Sequence, residues 1–99
     1  MARFDIYKRD DGPGFLVDLQ SDLLAPMNTR VVAPLLPQDA APSPAAYLNP
    51  LFDIDGTAHV LVTQFLSAVP VTLTKTPYGS LSDHADTITR AIDMVFQGI

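Results

Sequence analysis

The chain contains no cysteine, which rules out a disulfide framework and thiolate metal ligation and makes it indifferent to redox compartment. It is also short of positive charge: 6 Lys and Arg stand against 11 Asp and Glu, a formal net charge of −5. That is the wrong sign for neutralising nucleic-acid phosphates or for adhering to an anionic membrane. No direct nucleic-acid binding is therefore expected, and any effect on DNA would pass through a protein partner bearing a basic patch. No apolar run approaches the ~18 residues of a membrane span. The first residues, 1–8, alternate Phe4 and Ile6 with Arg3 and Asp5, where a signal peptide needs continuous apolar sequence. A cytoplasmic protein, neither exported nor membrane-spanning, is the expectation.

Motifs for chemistry are equally scarce. His59 and His84 have no His-x-x-x-His or His-Glu-x-x-His partner spacing, so no metal site is expected. His59 reads as a partly exposed strand histidine. Asp11-Gly12-Pro13-Gly14 has two glycines but no following helix to aim amides at a phosphate, and reads as a turn. Ser82, Asp83 and His84 are consecutive, yet a nucleophile, base and orienter must meet in space, and neighbours at a helix start point different ways. A capping serine followed by solvated polar residues accounts for the run. No enzyme activity and no cofactor are expected; a small hydrolase built on Ser82 and His84 is the weaker rival.

What the chain has is hydrophobic residues, 47% of 99, enough for one domain spanning 1–99 with a single core. Arg3–Lys8 and Gly14–Gln20 alternate as β-strands joined by turn residues. Phe15, Val17 and Leu19 take the core face of the second strand, and Asp18 and Gln20 the other, as in a half-buried strand. Asn28–Leu36 is a third strand, with Val31, Ala33 and Leu35 alternating against Arg30 and Val32, and with Pro34 demoting its far end to an edge or bulge. The segment 37–50 carries four prolines and reads as a long loop. Leu51–Asp55 and Ala58–Phe65 form a hairpin closed by Asp55-Gly56, and Val69–Thr74 is a further strand.

From Ser80 the period changes to that of a helix, expected over 80–97. Ser80 or Ser82 can cap it, Asp86 can pair with Arg90, and Ile88, Ala91, Ile92, Val95 and Ile99 form a stripe for the sheet. Strands followed by one terminal helix argue an antiparallel α+β domain or small barrel. The segment Phe96-Gln97-Gly98-Ile99 is apolar where helix ends are usually hydrophilic, and the negative helix end joins Asp93 there in a site suited to receive arginine.

Tyr7-Lys8-Arg9, the run Phe15–Leu24, Arg30–Leu35, Thr63, Ser67–Val71, Leu81 and Ala91–Ile99 together resemble the CcdB toxins of bacterial plasmid-maintenance modules, in order and over nearly the whole chain. The resemblance implies an SH3-like barrel of antiparallel strands with one C-terminal helix, assembled as a symmetric homodimer. It further implies a toxin of a toxin–antitoxin module that binds the A subunit of DNA gyrase and traps the cleaved DNA complex. A CcdA-like antitoxin would neutralise it. Carried over by position, the gyrase-facing residues are Leu23, Leu24, Asp93, Phe96, Gln97, Gly98 and Ile99.

Two positions depart from the family pattern. Asp93 stands where some relatives carry asparagine, and Gln97 stands where the best-known form of the motif has tryptophan. Glutamine offers hydrogen bonds but no stacking face for a partner arginine. The alternative reading is accordingly a CcdB-fold binding module that has lost gyrase poisoning and keeps only antitoxin binding.

Overall fold

Alternating segments make the first hairpin. In the computed structural model, which describes residues 2–98, β1 (Asp5–Lys8) and β2 (Phe15–Asp18) pair antiparallel, with Ile6 opposite Val17 and Lys8 opposite Phe15. Gly14, at the end of the intervening turn, has φ 99°, and a Cβ there would lie 2.3 Å from the Leu35 carbonyl oxygen. Only glycine meets both conditions.

β3 (Thr29–Pro37) organises the rest. Its residues from Val32 to Leu35 pair with β2, its first half with β6 (Ser67–Pro70), and Leu35–Pro37 with β5 (Thr57–Leu61). Pro34, expected to demote the strand end, is instead passed through. It sits opposite Leu16, and its carbonyl accepts from Val62 N at 2.9 Å on the side away from β2. Its missing N–H falls where β3 changes partner from β6 to β5, so no bond to β2 is lost.

β4 (Leu51–Ile54) and β5 form the expected hairpin, closed by Asp55 at φ 53° and Gly56 at φ 84°. Two expected strands are shorter than the sequence indicates. β5 ends at Leu61, its pairing with β3 closed by the bond from Val62 N to Pro34 O, and Thr63–Phe65 form a 3-10 turn whose Thr63 hydroxyl donates to Leu48 O. The strand expected over Val69–Thr74 is β6 followed by a 3-10 turn, Val71–Thr74, with Val71 N making the last bond on this side, to Asn28 O at 3.0 Å. β7 (Gly79–Ser80) pairs with β1, giving the order β4-β5-β3-β2-β1-β7 with β6 also on β3. The result is an antiparallel curled sheet, a half-barrel, carrying one C-terminal helix, α1 (Ala85–Gln97).

One face of this sheet holds the core: Ile6, Phe15, Val17, Ala33, Leu35 and Leu61 meet Phe52 and Ile54 from β4, and Leu81 and Ile88 close it. The other face was expected to be solvated, and it is not. Asp18 and Arg30 are both fully buried there and Gln20 nearly so. Arg30 Nε donates to Asp18 Oδ2 at 2.9 Å, and Nη2 lies 2.7 Å from the same oxygen. Asp18 Oδ1 accepts from Gln20 N at 3.0 Å. Tyr7 is buried as well, its hydroxyl without a partner among the described residues. Burial pushes the Tyr7 phenol up to about 12, with the charges of Asp5 and Asp18 adding to it. Burial also raises the Asp18 carboxyl above its usual range, against the hydrogen bond from Arg30. Asp18 is thus buried on the face of β2 away from the core because its counter-ion accompanies it, while Leu16 on the same face is only half-buried.

Candidate functional site

The terminal helix starts later than the sequence suggests. Ser80 belongs to β7, Ser82–His84 form a 3-10 turn, and α1 begins at Ala85. Ser80 Oγ accepts from Ser82 N at 3.1 Å, but the N-cap of the 3-10 turn is Leu81 and that of α1 is His84, neither with a side-chain cap, so neither serine caps a helix as expected. Ser82, Asp83 and His84 are all exposed, and the His84 ring packs 5.1 Å from that of Phe52. His59 is buried instead of partly exposed, with Nδ1 2.8 Å from Thr57 O and its ring 5.4 Å from Phe15.

The apolar stripe anchors α1. Ile88 and Ala91 are buried, Ile92 packs on the core and Val95 is half-buried. The predicted Asp86–Arg90 pair is not made. Among the described residues the ion pairs are Arg9–Asp11 and Arg30–Asp18, and the Arg90 guanidinium lies 3.6 Å from the centre of the Tyr47 ring. An exposed i, i+4 pair gives only a few tenths of a kcal/mol, which a close cation–π contact matches or exceeds.

At its far end the helix stops on Gly98, whose φ of 72° is left-handed and whose N–H reaches Asp93 O and Met94 O at 3.2 Å. A Cβ at Gly98 would meet nothing, so the dihedral alone calls for glycine. Phe96 is 68% exposed and Gln97 is exposed beside it, while Asp93 is half-buried. Ile99 lies outside the described residues.

Leu23 and Leu24 sit on a 3-10 turn, Asp22–Leu24, between β2 and β3. Its backbone is held twice, Ser21 Oγ accepting from Leu23 N and Gln20 Nε2 donating to Leu24 O, and the Asp22 side chain once, Oδ1 accepting from Arg3 N. The leucine side chains stand free. Leu23 is 91% exposed, Leu24 half so, and Met27, not anticipated from sequence, is similarly open. Among the expected site residues the apolar Leu23, Leu24 and Phe96 are thus exposed, the first two on the 3-10 turn and the third near the end of α1.

Arg9, Asp10 and Asp11 lie elsewhere, on the rim of a groove of about 400 Å³ floored by Leu16, Val32 and Pro34. Arg9 is tied to Asp11 at 3.2 Å and to Pro13 O at 3.0 Å.

The family described as CcdB protein matches residues 3–98. The chain belongs to the CcdB family. CcdB proteins are type II toxins of toxin–antitoxin modules, so an antitoxin partnership comes with the family. Among solved structures the Mycobacterium tuberculosis toxin MazF-mt6 is similar, with a TM-score of 0.70, 16% identity and 93% of each chain covered. At that identity the likeness is one of fold. No curated protein matches the chain significantly. No helix among the described residues is long and apolar enough to cross a membrane.

Proposed function

We propose that this CcdB-family protein is a gyrase-directed toxin that does no chemistry of its own. It acts as a homodimer, binds the A subunit of DNA gyrase through the end of α1, stabilises the cleaved DNA complex by binding it preferentially, and is neutralised by a CcdA-like antitoxin. The observation that carries this reading is the helix end itself. Gly98 ends α1 cleanly, and Phe96 and Gln97 stand exposed beside Asp93 at the negative end of the helix dipole. An apolar ring next to a carboxylate suits a basic, partly apolar partner surface. The exposed Leu23 and Leu24 supply further contact area, and a twofold assembly is the arrangement that would join such exposed residues into one surface.

Gln97 favours a second reading, a binding module that keeps its antitoxin and has lost gyrase. Controlled expression in bacteria separates the two. Rapid growth arrest with DNA breaks supports poisoning, and normal growth with retained antitoxin binding supports the module.

A further inference from the structure

The proline-rich loop is fastened to the body by Asn49. Its side chain accepts from Ala45 N at 3.0 Å and donates to Leu61 O at 3.0 Å and to Gln64 Oε1 at 2.8 Å, and Thr63 holds the carbonyl of Leu48. None of these bonds involves Tyr47. Yet Tyr47 is a non-glycine residue in the left-handed region, φ 65°, and the residue is 56% exposed. A tyrosine gains little folding stability from such exposure, while its backbone is strained. That conformation belongs to the loop's own turn, in which Leu48 N donates to Ala46 O at 2.8 Å and Asn49 N to Ala45 O at 3.0 Å, and the turn presents the ring to the Arg90 guanidinium, 3.6 Å from the ring centre.

Arg90 lies on the helix face opposite the core stripe. Positions three and seven residues on share that face, and they are Asp93 and Gln97. The loop thus sets an exposed aromatic ring against the same solvent-facing side of α1 that carries two of the partner-facing residues.

We propose that Tyr47, positioned by Arg90, is part of the partner-recognition surface of α1, providing there the aromatic face that Gln97 does not. This rests on the reading that the end of α1 binds gyrase. Arg90 keeps its charge beside the ring, but Asp86 and Asp93 outnumber it on this face and the chain as a whole is acidic, so the partner segment it takes is basic. An aromatic ring beside carboxylates is the standard receiver for an arginine or lysine side chain.

The test is calorimetric titration of a gyrase A fragment with the full-length protein and three variants. Tyr47→Gly relieves the left-handed strain, so its thermal stability should equal or exceed that of the parent while affinity falls roughly tenfold. Tyr47→Phe keeps the ring and should bind within about twofold of the parent. Deletion of Gly98 and Ile99 tests the underlying reading. If the deletion abolishes binding but Tyr47→Gly binds as the parent does, the role of Tyr47 is overturned alone. If the parent does not bind, or the deletion binds undiminished, the α1 reading and this inference fall together.

Discussion

At the scale of single residues, the buried face of the sheet makes the sharpest demands. Tyr7 hides a hydroxyl with no partner among the described residues, so Tyr7→Phe should change stability at neutral pH by less than about 1 kcal/mol, or increase it. Because burial raises the folded-state phenol from 10.0 to about 12, the stability it carries is fully present below 10 and is lost as pH rises through 12. Urea denaturation from pH 8 to 12 should show that alkaline loss in the parent and a smaller one in Tyr7→Phe; identical profiles would refute the assignment. The linkage of Asp18 has the same sign. Its folded-state carboxyl is raised, so its contribution is present below 3.8 and declines as pH rises through the folded value. Arg30→Met should cost about 3–5 kcal/mol by leaving Asp18 buried without its counter-ion, with part regained on adding Asp18→Leu. A small loss on Arg30→Met would show that the pair is wetter than its burial implies.

At the scale of elements, glycine and proline decide where strands and the helix stop. Gly98→Ala should destabilise the end of α1 by about 1 kcal/mol, read as a lower thermal midpoint, because the cap needs a left-handed residue. An unchanged midpoint would mean that the helix end frays without consequence. The hairpin at Asp55-Gly56, the terminal helix and its stripe were legible in the sequence because each rests on local chemistry: a turn dipeptide, or a 3.6 period. The effect of Pro34 is not legible in the sequence because it depends on which neighbour its nitrogen faces, and β3 changes neighbour there. Asp18 and Gln20 read as solvated because a period-2 pattern cannot reveal that Arg30, twelve residues beyond Asp18, arrives to neutralise that carboxylate. The apolar helix end at Phe96 is legible from the residues, the exposed Leu23 only from family resemblance, and Tyr47 carries no sequence signal, since only the folded loop brings it to Arg90.

At the scale of the whole molecule, the proposal needs a dimer and a surface that ignores the first hairpin turn. Light scattering at micromolar concentration should give twice the 10.7 kDa chain mass, and a strictly monomeric mass would remove the basis for joining the exposed residues into one surface. Alanine at Arg9, Asp10 and Asp11 should leave toxicity intact, since these residues border a groove away from α1. Loss of toxicity with the fold preserved would relocate the site to that groove. Gln97→Trp should tighten gyrase binding by adding an aromatic face, on the order of tenfold. The most direct measurement is calorimetric titration of a gyrase A fragment against the full-length protein and against the protein lacking Gly98 and Ile99. The full-length protein should bind and the shortened one should not, with both equally dimeric; undiminished affinity after the deletion would contradict the assignment of the partner site to the end of α1.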